Sequence, residues 1–588
     1  MNKSKSNFLV SNCKIFWDSD TTKCFISNPL LAFAFKNKFH SNYKEVNFGR
    51  HLRVSAKDLK KDADYVDAKY KMYSKLISKR LNKIHNKGYS TFFWTKALSV
   101  SFIRQINIVY DFFIIFENFF DKKEHVVNVL SSNNYIQATD YGHIEDFITE
   151  NPIGSEQIFS LYINLFYKEN IDKVIFLNKR NKGKFNFRVF IISLILKIKR
   201  FSLTSNKALI TVGFLGSYFS KTNKKKLLKR NNGLVGEIFI NIPKAKRRES
   251  FNNDLREIIS KTEENFDRFD NFFFETQKYF FPIFFLESYI FNENFLINKL
   301  KLYRNLKTII SENWISNSTT SLTLALAKEK FNINHLNNEH NFISHVFKGR
   351  YINYLIGLSD AFYNIGWKSD KYEVIKSASL YNFFLKKNKT KIDILFLAGP
   401  IRYKRKYLAS IDVSSQEYAL NTIKFNTIFF QGLKNKILKK IYYKKYPVKY
   451  FIDKEKLYLN QFTNINLLNQ TSFNGLDLMV KSKLVIMDYI STSYLECLIS
   501  NIPMIVFLDQ DSHTLKKKFK NFFKPLIDVG IFQINPIEAS NLLNNIYQYP
   551  NLWWQSEKVQ EGRKIFLDQN VGHPDVFINQ ISNIATSQ

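Results

Sequence analysis

Apolar positions in this chain fall into short unbroken runs and longer helical stripes, the pattern of strands buried on both faces and the helices that cover them. Leu484 to Met487 and Met504 to Leu508 are two such runs. Between them Leu495, Leu498 and Ile499 share one helical face, Asn501 is placed to cap the helix end, and Pro503 prevents its continuation. The stretch therefore predicts a βαβ unit. Its turn, Asp488 to Ser493, sets hydroxyls where a helix N-terminus offers free N–H groups and positive dipole, so a phosphate can sit there. A plainer reading makes Ser493 the N-cap and Glu496 its capping-box partner.

Similar signals recur along the chain. Phe8 to Val10, Cys24 to Ser27, Lys173 to Leu177, Ala208 to Leu215, Lys307 to Ile315 and Leu358 to Trp367 predict strands, and Leu322 to Phe331 a helix. Ala208 to Leu215 runs into Gly216-Ser217 and a basic stretch, a plausible binding edge. Ala56 to His85 reads as a charged amphipathic helix and Trp94 to Phe120 as a very apolar one, predicting a helical insertion at about 56–125. The phenylalanine-rich stretch Phe272 to Phe291 fits a core helix or a membrane-facing surface, with base rates favouring the core. Ile392 to Ala398 opens a new sheet, followed by Gly399-Pro400, Arg402 and Arg405, and by a long helix from Ser415 to about Ile441. The expected organisation is an α/β domain over 1–385, a second over 386–545, and closing helices over 546–588 that pack back across both.

A length of 588 residues calls for two or three domains, and 45% hydrophobic residues supply large cores. Three cysteines in no metal or redox spacing indicate a reducing compartment, so a cytoplasmic location is expected. The N-terminus lacks the apolar core of a signal peptide. Apolar runs such as Val189 to Leu196 fall short of the roughly 20 residues that span a bilayer. The formal net charge of +36 is spread along the chain, which suits an anionic substrate or the inner face of the cytoplasmic membrane better than nucleic acid. No Asp-x-Asp pair stands at a strand end in a setting that asks for a metal; Asp509-Gln510-Asp511 reads as a solvated loop.

Five blocks together carry a resemblance: LNKIHNKGYSTFFW, LSDAFYNIGW, LVIMDYISTSYLECLISNIPMIVFLDQD, VGIF and NLWWQSEKVQEGRKIF. They resemble a family of bacterial transferases from O-antigen and surface-polysaccharide gene regions. The resemblance implies a GT-B-like α/β fold, two Rossmann-like domains facing a cleft, with a nucleotide-sugar donor and a glycan or lipid-linked glycan acceptor. It implies that Ser491, Thr492 and Ser493 hold the donor phosphates beside Asp488, that Glu496 contacts the ribose, and that Gly399, Arg402 and Lys444 border the donor. Lys444-Lys445-Tyr446-Pro447 stands where an arginine is usual, which replaces a bidentate phosphate fork by a point charge. Asn338-Glu339-His340-Asn341 stands where relatives show Gln-His-Gly; His340 matches the histidine and is the candidate general base, with Glu339 beside it. His85 also matches, although on an amphipathic helix a packing histidine is the plainer reading.

Sugar transfer to a lipopolysaccharide or related acceptor is thus the leading expectation, with no cofactor or metal beyond the nucleotide sugar. Inversion is favoured because one base suffices for direct displacement. The alternatives are transfer of a polyol phosphate from a CDP-linked donor and a non-enzymatic basic scaffold on membrane or nucleic acid.

Overall fold

The computed structural model describes residues 5–18, 20–27, 43–49, 56–177, 207–215, 221–240, 242, 251–312, 314, 317–339, 351–364, 375–376, 392–399, 415–446, 458, 460–468, 475–508 and 517–587. Three parallel sheets, each covered by helices, make an α/β, Rossmann-like fold of the expected class. The first 376 residues hold two of these sheets, one more than the hydrophobic pattern suggested.

The first sheet contains β1 (Ser6–Leu9), β2 (Lys23–Ile26), β3 (Glu45–Phe48), β4 (His125–Leu130) and β5 (Ile171–Ile175) in the order β3-β2-β1-β4-β5. Between β3 and β4 lie α1 (Ala56–His85) and α2 (Thr91–Phe119). On α1 the buried residues Val66, Tyr70, Tyr73, Ile77 and Leu81 recur every three or four positions, one inward stripe. α2 is apolar nearly all round because it is buried nearly all round, from Phe93 to Phe116. Among the described residues it alone is long and apolar enough to cross a bilayer, and it lies mostly inside the core.

The second sheet contains β6 (Val212–Leu215), β7 (Val235–Glu237), β8 (Thr308–Ser311), β9 (Asn334–Asn338), β10 (Ala361–Asn364) and β11 (Ile375–Lys376) in the order β11-β10-β9-β8-β6-β7. Its helices include α3 (Lys221–Arg230) and α5 (Ser318–Phe331), the latter packed on α2, while α4 (Arg268–Phe280), from the connection between β7 and β8, also packs on α2. One core joins the two sheets through these helices, with Phe8 and Val127 at one end and Ile309 and Phe362 at the other. The phenylalanine-rich segment belongs to it: Phe272, Phe273 and Phe274 are fully buried, which decides for core over membrane.

The third sheet contains β12 (Ile392–Leu397), β13 (Ile441–Lys444), β14 (Asn466–Leu467), β15 (Ser482–Met487), β16 (Met504–Phe507) and β17 (Phe532–Gln533) in the order β14-β13-β12-β15-β16-β17. Leu395, Val485 and Val506 face one core, Ile394, Ile486 and Ile505 another, hence the unbroken apolar runs. Its helices include α6 (Ser415–Gln431), α7 (Thr492–Ile499), α8 (Pro536–Ile546), α9 (Pro550–Trp554) and α10 (Glu557–Asn570). The helix expected to reach Ile441 stops at Gln431. Gly432 there lies so close to α8 that a Cβ would come within 2.3 Å of Ser540 Oγ. Ile441 and Tyr443 instead pair with Ile394 and Phe396 of β12, with the Tyr443 and Phe396 rings stacked at 5.1 Å.

A last helix, α11 (Pro574–Thr586), leaves the third sheet and packs on the second. Phe577, Ile578, Ile581 and Ala585 join Val212, Phe214, Leu336 and Tyr363 in one small core, and Lys226 on α3 pairs with Asp575.

Candidate functional site

In the third sheet the chain runs outward from β12 to β13 and β14, then returns to the other side of β12 to form β15. That is the strand order of a dinucleotide-binding sheet, and its ligand crevice lies between the carboxyl ends of the first and fourth strands, here β12 and β15. Gly399 follows β12 and Asp488 follows β15. One Asp488 carboxylate oxygen accepts from the Gly399 N–H, and the other accepts from Asn426 Nδ2 of α6 at 2.6 Å. The buried carboxylate therefore ties together the two strand ends that frame the crevice and one covering helix. A carbon added at Gly399 would meet Tyr489 Cβ at 2.7 Å, so only glycine lets that ring close over the backbone. Tyr489 in turn meets Tyr446 edge-on, with centroids 6.1 Å apart.

The adjoining turn leads into α7. Ser491 is extended, with φ −146° and ψ −179°, and its hydroxyl accepts from the Ser493 N–H at 3.2 Å, so Ser491 is the N-cap. The capping-box reading with Ser493 and Glu496 is thereby corrected: the helix starts two residues earlier, and Glu496 lies beyond the N3 position. Glu496 is instead half-buried within the first turns, and burial pushes its carboxyl up to about 7. Ser491, Thr492 and Ser493 are all partly exposed. Lys444 ends β13, one strand over, and is also partly exposed. The crevice thus joins Gly399, Lys444, Asp488, the three hydroxyl residues and Glu496; Arg402 lies outside the described residues.

The far end of α7 is braced by the tail. Asn501, in the left-handed region at φ 54°, accepts from Trp554 Nε1 at 2.7 Å and Gln560 Nε2 at 3.2 Å. Arg563 Nε donates to the Leu498 carbonyl at 2.7 Å, placing a cation at the negative helix end. The NLWWQSEKVQEGRKIF block is therefore a clamp on the helix that carries the turn.

The second sheet has its own reversal point between β6 and β8. At this carboxyl edge Glu312, Asn338, Glu339 and Asn364 are all buried. Asn338 Nδ2 donates to Glu312 Oε1 at 2.8 Å, and the Glu339 N–H donates to the Tyr363 carbonyl at 2.8 Å. His340 follows directly but lies outside the described residues, as do Gly216-Ser217 and Asp509-Gln510-Asp511. His85 is a packing residue. It is buried, donates to the Phe285 carbonyl at 3.0 Å, stacks on Tyr289, and burial pushes its pKa down to about 4.

A family model described as "LIC12162 family transferase" matches residues 6–578. The chain belongs to the LIC12162 transferase family. The match covers all three sheets, so the first sheet is part of the LIC12162 transferase and not an appendage. No curated protein matches the chain. Among solved structures it is similar to the wall teichoic acid polymerase TagF, with 12% identity, 68% of this chain and 97% of that one covered, and a TM-score of 0.33. It is also similar to MurG of Acinetobacter baumannii (11% identity, 69% and 97% covered, TM-score 0.30) and to the calicheamicin glycosyltransferase CalG4 (8%, 64% and 98%, 0.31). Likenesses this distant transfer nothing about substrate to this LIC12162 transferase.

Reading the residues alone missed Asn426, Tyr446 and Tyr489. Only Asn426 left a signal, a lone amide within the inward stripe Ala419, Thr422, Phe429 and Phe430 of α6.

Proposed function

We propose that this transferase is a GT-B-like glycosyltransferase that moves a sugar from a nucleotide-activated donor to a surface-glycan acceptor, such as a lipopolysaccharide O-antigen intermediate. The observation that carries the reading is the crevice between β12 and β15, framed by the Asp488 tie and opening beside the α7 N-terminus. A diphosphate suits that place because backbone N–H groups, the helix dipole and the Lys444 ammonium all favour negative charge. Tyr446 and Tyr489 give the nucleoside an apolar wall. On this reading Glu496 meets the ribose, and the donor is the sole co-substrate, with no metal assigned.

The acceptor takes the carboxyl edge of the second sheet, where carboxylates and amides suit a hydroxyl-rich ligand. The acceptor oxygen attacks the anomeric carbon as the bond to the leaving phosphate oxygen breaks. His340 receives the hydroxyl proton, with Glu339 next to it in the chain. Work on the inner leaflet of the cytoplasmic membrane fits a lipid-linked acceptor.

The deciding experiment is thermal stabilisation by UDP, GDP, CMP and TDP, followed by product analysis with the sugar forms of the nucleotide that binds. One nucleotide at about 100 times its Kd should stabilise by roughly 2.7 kcal/mol. Phosphorus in the new linkage would replace sugar transfer by polyol-phosphate transfer, and no stabilisation by any nucleotide would remove the donor reading. With the donor known, His340→Ala should lower turnover by about 10² to 10⁴ while leaving donor affinity unchanged.

A further inference from the structure

Tyr549 and Leu552, 68% and 74% exposed, are the most exposed large apolar side chains among the described residues. They stand on a rigid base. Pro550 and Trp554 beside them are buried, and the Leu552 N–H donates to the Tyr549 carbonyl at 3.0 Å. From Ala539 to Ser556 there is no Lys, Arg, Asp or Glu, in a chain with 23% charged residues. The chain's general wealth of lysine therefore does not account for this surface.

Lysines gather along its border instead. Lys434, Lys436 and Lys439 are exposed, and Lys436 Nζ and Lys440 Nζ stand 5.4 and 5.9 Å from the Tyr547 ring centroid. The loop that carries them is tied to α8: Lys434 N donates to Asn544 Oδ1 at 3.2 Å, and Asn544 Nδ2 donates to the Gly432 carbonyl at 2.8 Å. The carboxylates around are few. Asp393 lies 4.0 Å from Lys440 and also pairs with Lys483, while Glu538 and Glu557 bound the uncharged segment.

An aromatic and an aliphatic side chain thrust outward beside ammonium groups match the interfacial region of a bilayer. The tyrosine and leucine enter the headgroup boundary while the lysines meet lipid phosphates. We propose that the Tyr549–Leu552 turn and the Lys434–Lys440 loop form a docking surface for an anionic phospholipid bilayer. The surface lies at the amino edge of the third sheet, since Lys440 precedes β13 and Lys444 ends it. Docking there leaves the crevice at the opposite edge open to solvent.

Co-sedimentation with vesicles tests this independently of the donor assignment. Vesicles of phosphatidylcholine alone are compared with vesicles that also contain phosphatidylglycerol. The full-length protein should partition onto the second kind. Tyr549→Ser with Leu552→Ser, and Lys434→Glu with Lys436→Glu and Lys439→Glu, should each reduce partition by about tenfold. A matched charge reversal on α1, Lys71→Glu with Lys75→Glu and Lys79→Glu, should change it by less than about twofold, since those exposed lysines stand on a helix that packs on α2 and belongs to the first sheet's connection, not to the third sheet. Every substituted residue is exposed, and equal unfolding midpoints show that each variant is folded. The proposal is overturned if the wild type stays in the supernatant, as it would if the surface served a protein partner. It is also overturned if the serine variant binds like the wild type, or if the α1 variant loses as much as the loop variant.

Discussion

At the turn before α7 the three hydroxyl residues differ in what they already do. Ser491 holds the helix end, so Ser491→Ala should cost about 1 kcal/mol of stability whether or not a ligand binds. Thr492 and Ser493 do no capping. Thr492→Ala with Ser493→Ala should leave the unfolding midpoint unchanged and weaken nucleotide binding, and equal affinity in a titration calorimeter would take the phosphate away from this turn. Glu496 tests the same site by pH. Burial raises its folded-state carboxyl from 4.5 to about 7, so between those values the folded chain holds a proton that the unfolded chain releases. Stability from this group is complete below pH 4.5 and is lost as pH rises through 7. The loss is at most about 3 kcal/mol, reduced by the solvent that reaches a half-buried side chain. Glu496→Gln should therefore be more stable than wild type at pH 8 and equal to it at pH 4, as denaturant midpoints at the two pH values will show.

At the scale of elements, the crevice depends on one carboxylate that spans two strand ends and a helix. Asp488→Asn keeps the shape but gives up one of two acceptor oxygens, so either the Gly399 N–H or the Asn426 amide faces another donor. The cost should be about 1 to 3 kcal/mol, with a parallel loss of nucleotide affinity, and adding Asn426→Asp, which offers an acceptor to the new amide, should restore much of both. An unchanged denaturant midpoint would show the tie to be idle. Much at this scale was legible in the sequence. The runs at Ile392, Leu484 and Met504 are strands because both of their faces are buried, and the βα turn lies where its hydroxyls pointed. What was not legible depends on distant partners. Helix α6 ends at Gln431, and Gly432 after it is a stop signal the sequence did carry; what only the fold shows is the close approach of that glycine to Ser540, more than a hundred residues away. Likewise the first sheet is built on four- to six-residue strands, and only the helices α1 and α2 beneath them reveal a shared core. The cap at Ser491 rather than Ser493 rests on a backbone angle, which no spacing of serines encodes.

Across the whole molecule, the tail connects what the sheets leave separate. α10 places Val559 and Phe566 in a core of the third sheet, and a short link later α11 places Phe577, Ile578, Ile581 and Ala585 in a core of the second. A chain that crosses in this way fixes one sheet against the other, which a transferase needs if the two substrates bind at different sheet edges. Phe577 is the residue to test because it is fully buried and meets Tyr363 edge-on at 5.3 Å. Phe577→Ala should cost about 3 to 5 kcal/mol in the core under the second sheet. Nucleotide affinity should stay within about twofold of wild type if the nucleotide binds as proposed, since the crevice between β12 and β15 lies wholly in the third sheet, while turnover at saturating donor falls. The two measurements separate the roles. A fall in nucleotide affinity equal to the fall in turnover would show that the helix supports the donor sheet itself, and normal turnover would show that the crossing tail merely stabilises the second sheet.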